Sequence, residues 1–321
     1  MIVKPTLFIL GAGASKPYGF PTGIELKSDI IRFFPADFNQ LLHFLPSLSG
    51  FQKEKHLSDA KSFVENFAKS PLYSIDQYLT FNPIDSLYGK MAIAYYIRKR
   101  EFESKFGEYS SPGEDWYSLL FNRMIASLKK PQDFERFKDN RVAFITFNYD
   151  RSLEYFLHTS FLKTFSQKQD KFKETLKEYI PFLITHVYGD VGAWDFRGKE
   201  QLDCYRGSSI TFNMLEGLSK RIHVFGEKSV EDVKKKITKI VSEYTRIFFC
   251  GFGYAKENLE VIGYPKQEIV QPYKIFGTAK GMTPKEIREV KGSLFRNIPS
   301  YLADLLIIEN KNTYGLLWQY L

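Results

Sequence analysis

Seven short apolar runs, each closed by glycine, proline or asparagine and separated by stretches of helical periodicity, set the strongest limit on how this 321-residue chain folds. They lie at 6–10, 142–147, 183–188, 222–225, 247–250, 274–276 and 305–308. Alternation of such runs with helices is the pattern of a mainly parallel sheet covered by helical layers. Several runs are almost wholly apolar, as strands buried on both faces must be. The expected class is therefore α/β.

The first run is followed by more than 100 residues before the next, too long for an ordinary crossover. Residues of about 35–135 read as a helical insertion or subdomain after the first βα unit. No internal repeat and no linker rich in Pro, Gly or Ser divides residues 1–321, so one enlarged domain is expected. Two helix starts are legible. Ser229-Val-Glu-Asp232 opens a run with Val230, Val233, Ile237 and Val241 on one side and Lys234, Lys235, Lys236 and Lys239 on the other. Thr283-Pro-Lys-Glu286 combines a cap, a proline at the first helical position and a glutamate three residues on.

Composition narrows the class further. Hydrophobic residues at 44% and charged residues at 26% exclude a disordered, collagenous or coiled-coil chain. Thirty Phe and 20 Tyr supply contact area for a core or a subunit interface. The net charge of +8 suits nucleic acid, anionic lipid or acidic nucleotides, and equally a solvated basic surface. Only Cys204 and Cys250 occur, so a disulfide framework and a four-cysteine zinc site are excluded, and a reduced cytoplasmic compartment is expected. No run approaches the roughly 18 apolar residues of a membrane span. Lys4 and the apolar Leu7 to Ala14 loosely imitate a signal peptide, but make better sense as a strand and its turn.

The sharpest segment is Leu7-Phe-Ile-Leu-Gly11-Ala12-Gly13-Ala-Ser15, a strand running into glycines at i and i+2. Glycines there allow a tight turn and close approach of the backbone to a pyrophosphate, although the third glycine of the dinucleotide fingerprint is replaced by Lys16. Gly19-Phe-Pro21-Thr22-Gly23 follows as a second loop, read as a flap over the site. In Phe144-Ile-Thr146-Phe-Asn148-Tyr-Asp150, side-chain alternation puts Thr146, Asn148 and Asp150 on one side at the carboxyl edge of the sheet, where open α/β sheets bind ligands. The alternative is a polar strand end with Asx turns. His186-Val-Tyr188-Gly189-Asp190 ends another run, where an imidazole is expected to meet Asn148 in the same crevice. Gly251-Phe-Gly253 with Asn258, and Gly277-Thr278-Ala279, repeat the strand-then-glycine theme.

These blocks, in this order, resemble the sirtuin fold family, and more closely its bacterial antiphage branch of NAD-hydrolysing effectors than its protein deacetylases. The resemblance spans most of the chain; 35–135 is matched only in being helical. It implies a Rossmann-like sheet with helices on both faces and NAD+ as substrate, with no metal. Gly11, Ala12, Gly13 and Ser15 would hold the phosphates, with Pro21 and Thr22 in the flap. Asn148 and Asp150 would face the nicotinamide ribose and the nicotinamide, Gly251, Gly253 and Asn258 would line the adenosine side, and Thr146, Tyr188, Gly277 and Thr278 would also bind NAD+. Asn148, Asp150 and His186 would carry catalysis, His186 as the general base.

Two departures matter. The family usually has histidine directly before the glycine, where this chain has Tyr188, so either His186 or Tyr188 takes that position. The paired CxxC zinc module of deacetylases is missing, which argues against an acyl-lysine substrate. The branch further implies a homo-oligomer, a HerA-type hexameric ATPase partner through which nucleic acid would be met, and a role in antiviral defence by NAD+ depletion. Two other function classes stand beside it. A DNA binder or nuclease rests on the +8 and on lysine-rich 168–177 and 234–239; a non-catalytic NAD or ADP-ribose sensor rests on Tyr188.

Overall fold

A computed structural model describes residues 1–104, 113–165, 179–180, 183–192, 205, 209–264, 274–295 and 304–321. Six strands form one sheet: β1 (Thr6–Leu10), β2 (Val142–Thr146), β3 (Ile184–His186), β4 (Arg246–Cys250), β5 (Lys274–Thr278) and β6 (Leu306–Glu309). Their order is β3-β2-β1-β4-β5-β6 and every pairing is parallel. This is the Rossmann order, in which the chain builds one half outward from β1 and then crosses back to build the other from β4. Leu10 lies level with Thr146 on one side and Cys250 on the other, so the carboxyl ends of the three central strands meet at one edge.

The register stacks aromatic rings across the sheet. Phe8 lies 5.0 Å from Phe144 and 5.5 Å from Phe248, which lies 4.6 Å from Phe276. Cross-strand neighbours on one face are the unit of sheet stabilisation, so this row ties four strands together. Much of the phenylalanine surplus is core rather than interface: Phe34, Phe38, Phe63, Phe67 and Phe161 are also buried.

Six of the seven apolar runs contain a strand. The seventh, 222–225, is a loop; Ile222 and Val224 are buried, and the segment is held to the strand ends by His223 N–H donating to the Tyr188 carbonyl at 2.9 Å. Burial of alternate apolar residues does not require a ladder when a loop can be pressed against a strand end.

Between β1 and β2 the described chain is helical: α1 (Ala12–Ser15), α2 (Gly23–His43), α3 (Gly50–Lys69), α4 (Ile75–Phe81), α5 (Ser86–Glu103) and α6 (Trp116–Ile125), with short 3-10 turns. The stretch starts before residue 35, because α2 opens on a capping box of Thr22 and Glu25 and runs unbroken through Pro35. After β2 come α7 (Ser152–Phe165), α8 (Phe212–Ser219), α9 (Lys228–Glu243), α10 (Lys256–Val261), α11 (Pro284–Leu294) and α12 (Thr313–Tyr320). The Thr283 box forms as expected. The α9 start is two residues earlier than expected: Glu227, extended, accepts the Val230 and Glu231 amides through its carbonyl, and Ser229 lies inside the helix. Among the described residues no helix is long and apolar enough to cross a membrane. Cys250 is buried and free; Cys204 and the lysine-rich 168–177 lie outside the described residues.

Candidate functional site

The two glycine loops that follow β1 and β4 interlock. Gly11 N–H donates to the Cys250 carbonyl and Gly13 N–H to the Gly251 carbonyl, both at 3.0 Å. A Cβ on Gly11 would lie 2.7 Å from the Gly251 oxygen, and one on Gly251 would lie 2.0 Å from the Ala14 nitrogen. Gly251 also has φ of +55°, a conformation open to glycine at little strain. The i, i+2 glycines are therefore demanded by the contact of two backbones at the point where the strand order reverses, the place open α/β sheets use for ligands.

That point opens into a crevice of about 670 Å³, a volume typical of ligand sites. Of the residues singled out in the sequence, Ala12, Gly13, Thr22, Gly251, Gly253 and Thr278 line it. Gly11 and Gly277 stand behind its wall. Gly277 leaves room for the Tyr254 hydroxyl, which donates to the Thr278 carbonyl at 3.2 Å, and Thr278 Oγ1 accepts the Gly251 amide at 2.8 Å. Pro21 is buried beside the Thr22 cap. Lys16, Lys280 and Lys311 also line the crevice and were not singled out as ligands. Each pairs with a rim carboxylate: Lys16 with Glu25, Lys280 with Glu114 at 3.5 Å and Lys311 with Glu309 at 2.7 Å. The one legible signal for them was Lys16 in place of the third glycine.

Behind the glycine turn lies a buried polar centre. Thr146, Asn148 and Asp150 border one small void with Ser15, Tyr117 and Ser152, as their alternation required. The Asn148 carboxamide donates to the Gly11 carbonyl at 3.1 Å and to Ser15 Oγ at 2.9 Å. Thr146 Oγ1 accepts the Asn148 amide and Asp150 Oδ1 the Ser152 amide, both at 3.1 Å, so the strand end also contains the local side-chain turns of the alternative reading. Burial raises the Asp150 carboxyl to about 6, against the pull of hydrogen bonds from Ser152 and Ser15. Ser15 thus faces this centre and does not line the crevice.

The helical stretch reaches this centre, which no motif announced. Trp116, fully buried at the start of α6, donates its indole N–H to the Ala14 carbonyl at 2.8 Å. The next residue, Tyr117, stacks on Tyr18 at 3.9 Å and shares a 2.7 Å hydrogen bond with Ser152 Oγ. Glu101 of α5 holds Arg151, between Asp150 and Ser152, through bonds of 3.0 and 2.7 Å.

His186 takes a different position from the one its place in the sequence suggested. It does meet Asn148, but Nδ1 lies 2.9 Å from the main-chain carbonyl of Asn148 and Nε2 lies 2.6 Å from Glu154 Oε1. The Asn148 carbonyl can only accept, so Nδ1 carries hydrogen, and Nε2 faces the Glu154 carboxylate. Although burial works the other way, Glu154 raises its pKa to about 9. A base must have a ring nitrogen free to meet the substrate, and both of these are engaged by protein partners. His186 lines a second cavity, of about 470 Å³, rather than the glycine crevice. Tyr188 is buried and donates to Asn258 Oδ1 at 2.7 Å, so these two expected ligand residues are bonded to each other. Tyr188 packs edge-on to Phe147, which packs in turn on Phe252 of the crevice wall.

No protein-family model matches the chain, and the search of curated proteins finds no significant match.

Proposed function

We propose that this chain binds NAD+ in the crevice between β1 and β4 and hydrolyses its nicotinamide–ribose bond, as the effector of an antiphage system that depletes NAD+. The single observation that carries the binding step is the coincidence, at the switch point of a Rossmann-ordered sheet, of interlocked glycine loops and a crevice bearing three lysines. The reaction takes NAD+ and water to nicotinamide, ADP-ribose and a proton. The bond breaks as its electron pair leaves with neutral nicotinamide, and water adds to the ribose carbon. Asp150, raised to about 6 by burial, borders the void behind the glycine turn rather than the crevice, so it is assigned to take the proton once that turn, positioned by Asn148, opens to the bound ribose. His186 is assigned a positioning role, since its charge is already answered by Glu154. The resemblance of the sequence motifs supports a homo-oligomer and a HerA-type ATPase partner as the setting of this activity.

A non-catalytic NAD+ or ADP-ribose sensor shares the same crevice, and the doubly bonded His186 favours it. Chromatographic detection of nicotinamide released from NAD+, with and without the ATPase, separates the two. Release that is lost in Asp150→Asn supports hydrolysis; tight NAD+ binding without release under both conditions supports the sensor and overturns the enzyme.

A further inference from the structure

Gly189 builds the second cavity. Its φ is +77°, and a Cβ there would lie 1.8 Å from the Arg221 carbonyl oxygen, so only glycine lets the end of β3 touch the loop at 221–223. The space enclosed by this contact, the start of α7 and the first turns of α9 measures about 470 Å³. The sequence motif around His186 thus forms the wall of a site that the proposed NAD+ crevice does not include.

Charge converges there. Arg151, His186, Arg221 and Lys236 line the space against the carboxylates of Glu154 and Asp190. Arg151 is answered by Glu101 at 2.7 Å, His186 by Glu154 at 2.6 Å and Arg221 by Asp190 at 2.7 Å. Lys236, exposed on α9, enters no ion pair among the described residues. Arg221 holds Asp190 through Nε and Nη2, which fixes the guanidinium plane and leaves Nη1 directed elsewhere. Ser229 adds a hydroxyl, while Ile184, Val187 and Val233 supply an apolar remainder. One cation in excess, one oriented guanidinium and an apolar wall suit a ligand with a phosphate at one end and a flat or aliphatic body at the other.

We propose that this cavity binds a phosphate-bearing small anion of nucleoside-monophosphate size, at a site separate from the crevice between β1 and β4. The phosphate is met by Lys236, Arg221 and Ser229. The two sites share no lining residue but are linked through Asn148: His186 in this wall donates to its carbonyl, and its carboxamide holds Gly11 behind the crevice.

Calorimetric titration of the full chain with AMP, and separately with inorganic phosphate, tests the proposal. AMP binding should weaken at least tenfold in Arg221→Met/Lys236→Met and stay within twofold in Lys311→Met, a crevice variant. Arg221 and Lys236 are both exposed, so the double variant should fold, with circular dichroism as the check; Lys236→Met alone supplies the comparison if it does not. AMP binding tighter than phosphate supports the nucleotide, and equal binding supports the same site with the phosphate alone as ligand. Binding of neither, or binding lost in Lys311→Met and kept in the cavity variant, overturns the proposal. The latter result would leave the NAD+ reading of the crevice standing, whereas failure of that reading shows as NAD+ neither bound nor cleaved.

Discussion

His186 donates its Nδ1 hydrogen to the main-chain carbonyl of Asn148 at 2.9 Å, while the side chain of Asn148 turns the other way, to Gly11 and Ser15. One residue therefore joins the edge strand β3 to the glycine turn after β1, across the intervening strand β2. His186 lines the second cavity, whereas Asn148 borders the small void behind the glycine turn. What the two residues share is a hydrogen bond that fixes the strand ends relative to each other, with the imidazolium charge met by Glu154 on α7.

This arrangement predicts how stability depends on pH. His186 titrates near 9 in the folded chain and near 6.5 when unfolded, so its contribution is complete below about 6.5 and is lost as pH rises through 9. Between those values the folded state holds a proton that the unfolded state has released, with a slope of up to about 1.4 kcal/mol per pH unit. Urea unfolding of the wild type and of His186→Asn between pH 6 and 9.5 checks this. The decline across that window should be visibly shallower in the variant; parallel curves would remove the imidazolium assignment.

Asn148→Ala removes two buried hydrogen bonds and leaves the Gly11 carbonyl and Ser15 hydroxyl to find other partners. The expected loss is about 1–3 kcal/mol of stability, together with at least tenfold weaker NAD+ binding, because the glycine turn is no longer held. Thermal unfolding and an NAD+ titration read the two effects separately. Asn148→Asp, which keeps the size but cannot donate to the Gly11 carbonyl when ionised, should resemble alanine in binding.

The strand set was legible because a buried parallel strand has to be apolar almost throughout, and Thr6–Leu10 matches its run residue for residue. The glycine spacing was legible too, though its cause, the contact of Gly11 and Gly13 with Gly251, lies 238 residues away from Gly13 and could not be read locally. Side-chain direction beyond a strand end was not legible. Alternation correctly grouped Thr146, Asn148 and Asp150, but past the last ladder bond the chain turns, so His186 and Asn148 meet through a carbonyl. The roles of Trp116, Tyr117 and Glu101 had no local signature at all. An aromatic or acid on a helix looks the same whether it packs in its own bundle or reaches into a site.

Asp150→Asn is expected to raise stability at neutral pH. The buried carboxyl titrates near 6 instead of 3.8, so it costs the folded state nothing below about pH 4, and the cost grows as pH rises to 6. The amide keeps an oxygen for the Ser152 amide and carries no charge to bury. The gain is about 3 kcal/mol at pH 7 and close to zero at pH 3.5. Under the proposed function nicotinamide release should meanwhile fall about 100-fold or more. Opposite movements of stability and turnover are what a buried functional acid produces; a variant with unchanged stability at pH 7 would mean that Asp150 is not held above its ordinary value.

The glycines of the crevice separate architecture from contact with a ligand. Gly251→Ala places a methyl 2.0 Å from the Ala14 nitrogen and puts a side chain at φ +55°, so the β1 and β4 loops have to part. A loss above about 3 kcal/mol, or failure to fold, is expected, well beyond the ordinary change at a surface position. Gly253→Ala meets nothing within 4 Å, although Gly253 lines the crevice. It should fold with a midpoint within about 1 °C of the wild type, corresponding to a few tenths of a kcal/mol. Its methyl group enters space that NAD+ would occupy, so NAD+ affinity should drop several-fold while AMP binding at the Gly189 cavity stays unchanged. Comparable folding of the two variants would show that close approach of the loops is not what fixes glycine at 251.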